Sequence, residues 1–262
     1  MSRSTIRNIG LLTISFFIVS PALGDVVILT PTKDNTLFEI IDGSLSNGAG
    51  AFIFAGATNT SLRRRAVLAF DVVGNVPSGA TINSATLTLN LSLTPPASSP
   101  QTHALHRLLA DWGEGTSDAG VPGGEGAPST ANDATWIHRF FSSALWASAG
   151  GDFEAAPSAS TTVNGVGSYN WTSAQLAADA QGWLDIPSTN KGWIVLGDES
   201  AAGEARRYDS REHATEANRP QLTIDFTPVP IPAVSTWGIV ALTLLLLSAG
   251  TFALRRTRSS VA

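Results

Sequence analysis

The stretch from residue 80 to residue 93, "ATINSATLTLNLSL", constrains the fold more than any other part of the chain. A leucine stands at every second position from Leu87 to Leu93, and Thr, Asn and Ser stand between them. Successive side chains of a strand point to opposite faces of the sheet, so this segment has one apolar and one polar face. That pattern is typical of an antiparallel sheet with one face buried.

Short runs of the same kind recur between residues 25 and 227, separated by Gly, Pro, Asn and Ser. They include "VVILT", "TLFEI", "AFIFAG", "RAVLAFDV", "GWIVLG" and "QLTIDF". Many short strands broken by turn residues predict an all-β fold, an antiparallel β-sandwich of the jelly-roll type. We see no internal repeat and no linker that would divide this stretch, which predicts one domain over residues 25–227.

One or two short helices are expected to interrupt the strands. Residues 173–186 carry an apolar stripe at helical spacing, preceded by a capping box of Thr172 and Gln175. Residues 135–147, "TWIHRFFSSALWA", show a second stripe at the same spacing. Both stripes are interpreted as lids over the core.

The N-terminus has the pattern of a secretory signal peptide. Arg3 and Arg7 precede an apolar run from Ile9 to Val19, and Ala22 and Gly24 occupy the −3 and −1 positions of a cleavage site. The expectation is a signal peptide over residues 1–24 and an exported mature chain.

The C-terminus predicts a membrane anchor. A Pro-rich linker (residues 228–236) leads into an apolar stretch from Trp237 to Leu254. At about 1.5 Å per residue that stretch reaches roughly 27 Å, enough to cross a hydrocarbon core as a transmembrane helix. The arginine-rich tail, residues 255–262, would stay in the cytoplasm, so the helix would anchor the chain in the inner membrane with the body outside.

The same tail resembles a known sorting signal. Ile231 and Pro232, followed by Ser235, Trp237 and Gly238, are similar to the IPTL-CTERM signal of Gram-negative bacteria. Ala and Val replace the Thr and Leu of the family's IPTL motif. The resemblance implies processing by an exosortase-like membrane protease, and a retained anchor and a cleaved tail both remain open.

Composition excludes several classes of protein. The chain has no cysteine, which excludes a lipoprotein anchor, disulfides and thiolate metal sites. Five of the sixteen Lys and Arg residues lie in the two terminal segments and none of the 21 acidic residues do, which leaves the body with 11 basic against 21 acidic residues, a net charge of −10. Such a charge argues against nucleic acid as a partner.

Several separated fragments of the body resemble one family. They are Asp34 with Thr36, "RRAVLAFDV" with "VPSGATINSATLTL", Trp112 with Glu114, Thr135 with Trp136, "YNWTSAQLAADAQGWLDIPSTNKGWIVL" and "RRYDSREHATEANRPQLTIDF". Together they are similar to the DNRLRE domain family, which is related to disaggregatase-type and alginate-binding carbohydrate-binding modules. The resemblance implies a jelly roll on an exported protein that binds extracellular polysaccharide. A Gly-rich loop, residues 115–133, is inserted within the Trp112–Trp136 signature, and special function is expected there.

Six residues are candidates for ligand binding. Trp112 and Trp136 are the tryptophans expected to be exposed as sugar platforms, and Glu114 lies beside the first of them. In "ARRYDSREH", alternation places Arg207, Asp209 and Arg211 on one face. These three side chains are expected to form either a structural ionic ladder or a fork for uronate carboxylates.

A metal site is the weaker hypothesis. An EF-hand reading that starts at Asp111 fails, because Gly113 and Gly115 occupy ligand positions. In a jelly roll the first and last strands are usually neighbours, which makes Asp34, Glu39 and Asp225 the candidate calcium ligands. The alternative is three solvated carboxylates and no cofactor.

No catalytic motif is present. The sequence has neither a G-x-S-x-G nor an H-E-x-x-H pattern, and its four histidines form no ligand set. The expectation is a non-enzymatic exported protein, displayed on the cell envelope or released, that binds or organises extracellular polysaccharide. The alternatives are a purely structural surface or biofilm-matrix protein and a polysaccharide-degrading enzyme.

Overall fold

The computed structural model describes residues 24–96, 99–229, 238, 240–241 and 243–248. Residues 1–23 of the predicted signal peptide, most of the linker and of the sorting signal, and the whole tail therefore lie outside the described residues. Half of the predicted span 237–254 is described, and those residues are helical. Within the described part of the chain, no helix combines the length and the apolar character that crossing a membrane requires.

The body is mostly β, as the alternating runs predict, and its strand pairing is antiparallel. The strands are β1 Asp25–Leu29, β2 Lys33–Phe38, β3 Leu45–Ser46, β4 Phe52–Ala57, β5 Arg63–Ala69, β6 Thr81–Leu93, β7 Gln101–Arg107, β8 Ala127–Pro128, β9 His138–Phe140, β10 Ala144–Leu145, β11 Ala159–Val163, β12 Gly167–Thr172, β13 Trp193–Leu196, β14 Arg206–Asp209 and β15 Gln221–Thr227. The helices are α1, Ala174–Asp185, and two short 3-10 turns, Pro187–Thr189 and Glu216–Asn218.

Eleven strands form one large curled sheet in the order β1-β15-β6-β14-β4-β5-β13-β7-β11, with β12 added on β6 and β2 added on β5. The first and last strands are neighbours, as expected: Val27 of β1 pairs with Ile224 of β15. Two small pairs, β3 with β8 and β9 with β10, lie outside this sheet.

The sheet bends at β4, which connects the half that contains β14 to the half that contains β5. Residues Phe52 to Ala55 pair with β14, whereas Gly56 and Ala57 pair with β5. Gly56 has a φ of +111°, and a Cβ there would lie 2.7 Å from the carbonyl oxygen of Glu204. Only glycine tolerates this conformation and this contact, so Gly56 permits the bend.

The main core fills the inside of the curled sheet. Leu68 of β5, Leu89 of β6, Trp171 of β12, Trp193 of β13 and Tyr208 of β14 all belong to one buried cluster. Helix α1 contributes Trp183 to it. The leucine stripe that dominates the sequence of β6 therefore faces this core.

A second core lies on the opposite face of the β2-β5-β13 half. Val67 of β5 and Ile194 of β13 point there, and loop tryptophans at positions 112, 136 and 146 cover them. This covering explains why "RAVLAFDV" is a continuous apolar run: alternate residues of β5 enter different cores. The segment between β7 and β11 is thus a structural layer.

One of the two helix predictions is confirmed and the other is wrong. Helix α1 forms, but its N-cap is Ser173, whose Oγ accepts from the Leu176 N–H at 2.9 Å. Residues 135–147 form no helix: β9 and β10 pair there, with Ala144 opposite Phe140. The apolar spacing arises because Trp136 and Trp146 are buried in the second core from irregular backbone.

Burial of His103 makes the fold sensitive to acid. This side chain on β7 is fully buried, with its Nδ1 2.9 Å from the Tyr208 hydroxyl. Burial, followed by the positive charge of Arg206, lowers the pKa of His103 to about 3. Below pH 6.5, His103 binds a proton in the unfolded chain but stays neutral in the folded protein. The free energy of unfolding therefore falls as the pH falls towards 3.

We therefore predict that His103→Gln flattens the acid limb of the stability curve. Between pH 6 and pH 4, the free energy of unfolding of the wild type should fall relative to that of the variant by about 1.4 kcal/mol per pH unit. Urea denaturation at each pH measures this difference. Parallel curves for the two proteins would show that His103 is protonated in the folded state.

Candidate functional site

Three segments that are distant in sequence meet at one end of β2. Asp34 lies on β2, Glu114 in the loop that follows β7, and Arg211 with Glu212 in the turn that follows β14. We call these four residues the carboxylate–arginine cluster. One carboxylate oxygen from each of Asp34, Glu114 and Glu212 lies within 4.8 Å of the other two.

Arg211 ties the cluster together. Its Nη1 donates to both carboxylate oxygens of Glu114 at 2.9 Å and lies 2.8 Å from Oε1 of Glu212. Its backbone N–H donates to Oδ2 of Asp34 at 2.7 Å. Glu114 in turn accepts from the backbone N–H of Asp34 at 2.9 Å through Oε1. Charge-assisted bonds of this kind are the strong ones in proteins, so the cluster fixes the three segments to one another.

Asn35 and Gly48 hold the Glu114 loop from the other side. The buried Asn35 side chain donates to the backbone oxygen of Glu114 at 2.7 Å, and its own oxygen accepts from the Asn47 N–H at 3.0 Å. A Cβ at Gly48 would lie 1.7 Å from that same backbone oxygen of Glu114. The loop therefore packs against backbone that only glycine can provide.

The cluster carries more negative than positive charge. Burial, followed by the negative charge of Glu212, raises the pKa of Asp34 well above its usual range. Burial also raises the pKa of Glu212. Oδ1 of Asp34 and Oε2 of Glu212 are buried and have no hydrogen-bond donor among the described residues. The site can thus accept a positively charged group.

The structure does not bring Asp34, Glu39 and Asp225 together as calcium ligands. The Glu39 carboxylate is bound by the Arg63 guanidinium at 2.6 Å, and Asp225 accepts from the Asn83 side chain at 2.6 Å. The neighbour of the last strand is β1, whereas Asp34 lies on β2, which pairs with β5. Of the three predicted metal ligands, Asp34 alone belongs to the cluster.

Trp112 and Trp136 are not exposed, and the expectation that they form sugar platforms on the surface is wrong. Their exposed fractions are 1% and 5%. Trp112 donates through its indole N–H to the Lys191 backbone oxygen at 2.9 Å. The Arg65 guanidinium lies over the Trp136 ring, 4.9 Å from the ring centroid. All six tryptophans of residues 24–229 are buried: Trp171, Trp183 and Trp193 lie in the main core, and the other three lie in the second core, which the loops cover.

Arg207, Asp209 and Arg211 do not form the predicted ladder. The buried Asp209 accepts from the Asn90 side chain at 2.7 Å, and among the described residues it has no arginine within 4.0 Å. Arg211 lies beyond the end of β14 and turns to Glu114 instead. Arg207 lies over the Phe52 ring, 3.8 Å from its centroid.

Arg207 and Arg64 line one cleft of about 430 Å³ on the outer surface. Phe54, on the strand between them, forms part of its wall, and Gly124 from the Gly-rich loop forms the rim. Through Gly124, loop 115–133 contributes to the wall of the cleft.

Arg64 is a buried cation with no carboxylate within 4.0 Å among the described residues, and the negative charge of Glu39 acts on it only from a greater distance. It is 7% exposed, and its guanidinium donates to two carbonyl oxygens, of Arg63 at 3.0 Å and of Gly124 at 3.5 Å. Burial lowers the pKa of Arg64 to about 10, so it remains charged at neutral pH. The strand pattern could have revealed this residue, because alternation along "RRR" places Arg64 on the face opposite Arg63 and Arg65.

A second cleft of about 570 Å³ is also lined by an arginine, but that arginine is already bound to a carboxylate. Arg65 binds both oxygens of Glu199, at 2.7 and 2.8 Å, and the Gly150 carbonyl at 2.9 Å. The Arg64–Arg207 cleft is therefore the better candidate for binding an anionic ligand.

We predict that Gly48→Ala strongly destabilises the fold. The new methyl group would collide with the Glu114 backbone and displace the loop from β2, which should cost about 2 kcal/mol or more. Gly165→Ala is the matched control, because no atom lies within 4 Å of its Cβ position, and it should change stability by less than about 0.5 kcal/mol. Thermal and urea denaturation compare the two, and equal effects would contradict the packing described above.

Comparison with known proteins adds no assignment. No protein-family model matches the chain, and no curated protein matches it. Two features of the molecule bear on function: a cluster of carboxylates around Arg211, and a cleft with two arginines that have no carboxylate within 4.0 Å among the described residues.

Proposed function

We propose that the protein binds acidic extracellular polysaccharide, with the uronate carboxylates held by Arg64 and Arg207. The observation that carries this proposal is the buried Arg64 guanidinium, which has no carboxylate within 4.0 Å among the described residues. A desolvated charge without a counter-charge is unfavourable, so an anionic ligand is the natural partner. Arg207 lines the same cleft and, among the described residues, also has no acidic partner within 4.0 Å.

The cleft also offers apolar contact for a sugar ring. Leu93, Pro95 and Pro96 lie along it beside Phe54. Leu93 is 48% exposed, which is high for a leucine at the end of a strand that otherwise faces the core. A cleft with apolar walls and a few placed charged groups is the usual composition of a ligand site.

The net charge of −10 on the body, residues 25–227, does not prevent such binding. At physiological ionic strength the screening length is about 8 Å, so acidic groups elsewhere on the surface act only weakly on a ligand in the cleft. The two arginines then determine the local field. The acidic groups on the rest of the surface repel polyanions, so a polyanionic ligand should bind in the cleft and should not adsorb generally to the surface.

The wider function follows from the sequence. We propose that the body is a jelly-roll sandwich of the DNRLRE type, exported through its signal peptide and displayed on the cell envelope by its C-terminal helix, or released when an exosortase-like protease removes the tail. The curled antiparallel sheet with neighbouring first and last strands is compatible with that fold. We propose a binding role without catalysis.

The predicted outcome is selective binding of a soluble polyuronate by the full-length protein. Because a hydrogen bond to a charged group is worth about 1.5–3 kcal/mol, Arg207→Ala should weaken the affinity by roughly 10- to 100-fold. Arg207→Lys should weaken it less than alanine but measurably, since lysine keeps the charge and loses the planar fork. Isothermal titration calorimetry measures these affinities.

Arg139→Ala is the matched control. Arg139, on β9, also has no carboxylate within 4.0 Å among the described residues, but it does not line the cleft. This variant should bind like the wild type, and a neutral glucan should bind neither protein. Wild-type affinity in Arg207→Ala would exclude the cleft, and release of shortened sugars during the titration would show an enzyme instead.

A further inference from the structure

The carboxylate–arginine cluster has the composition of a divalent-cation site, and no step of the proposed sugar binding uses it. Its three carboxylates come from three separate segments, and one oxygen of each lies within 4.8 Å of the others. Carboxylate oxygens brought together in this way are the ligands that Ca²⁺ prefers.

A second observation points to a ligand in the same place. The Asp34 side chain is fully buried, and its Oδ1 has no hydrogen-bond donor among the described residues. Oε2 of Glu212 is in the same situation. Buried anionic oxygens without a donor are costly, and they are rare in folded proteins unless a proton, a water or a metal satisfies them.

Charge decides between these partners. When all three carboxylates are ionised, Arg211 supplies one positive charge against three negative ones, which leaves two negative charges uncompensated. A divalent cation neutralises both at once. Arg211 does not block the site, since it takes only part of the lone-pair capacity of Glu114 and Glu212 and leaves Oε2 of Glu212 free of any donor in the described structure.

We infer that Asp34, Glu114 and Glu212 bind one Ca²⁺ ion, which completes the junction between β2, the Glu114 loop and the turn after β14. Asp34 contributes a buried ligand from a rigid strand, and the two glutamates contribute ligands from the segments that the ion would fasten. The role is structural: the ion stabilises the fold and holds the Gly-rich loop that follows Glu114.

The test is a calcium titration of the full-length protein after treatment with a chelator. Calorimetry should show one Ca²⁺ per chain, and the melting temperature should rise by about 5–10 °C at a calcium concentration 100-fold above the dissociation constant. Glu212→Gln, which keeps the size of the side chain and removes one charge, should weaken calcium binding at least 10-fold.

Asp225→Asn is the control, because Asp225 lies on β15 and binds Asn83, outside the cluster. It should respond to calcium like the wild type. Absence of both heat and a rise in melting temperature in the wild type would overturn the inference and leave protons as the partner of Asp34 and Glu212. An undiminished response in Glu212→Gln would also overturn it.

Discussion

The loop layer of this protein depends on one guanidinium that several carboxylates share. Arg211 binds Glu114, which lies 97 positions earlier in the chain, and its backbone N–H binds Asp34, 177 positions earlier. These contacts join β2, an edge strand of the curled sheet, to the loop that follows β7. If the arginine were removed, three carboxylates would be left close together and partly buried, which is far less favourable than the intact arrangement.

The cleft follows from the position of that loop. Because Glu114 is fixed to β2, the Gly-rich segment that follows it crosses β4, where Gly123 and Gly124 lie against the Phe54 ring. Gly124 then accepts from Arg64 and forms the rim of the cleft. A loop that appears unstructured by composition therefore shapes the proposed sugar site.

Much of the fold could be predicted from local patterns. The leucine alternation of β6 and helix α1 follow from periodicity and capping residues, whereas the pairing of the first and last strands follows from the expected jelly-roll fold. The helix expected at residues 135–147 failed because aromatic residues that pack on a sheet from irregular backbone can mimic helical spacing. Burial of Trp112 and Trp136 was missed for a related reason: the second core exists only because the loops fold back over the outer face.

The sequence identifies the charged residues of the candidate site but not the residues that they contact. Asp34, Glu114, Arg207 and Arg211 are all recognisable in the sequence, yet the contacts that join Asp34 to Glu114 and to Arg211 span 80 and 177 positions, where spacing carries no distance information. Arg64 was accessible to the alternation rule, but its lack of an acidic partner appears only in three dimensions. Local rules thus identify charged residues, and tertiary packing decides which of them are satisfied.

The central claim is that a uronate carboxylate occupies the Arg64–Arg207 cleft. A crystal structure of the protein with a bound oligouronate tests it most directly. We expect a carboxylate within hydrogen-bonding distance of both guanidinium groups, with the sugar ring against Leu93 and Pro95. An oligouronate bound elsewhere on the surface, with neither arginine in contact, would contradict it.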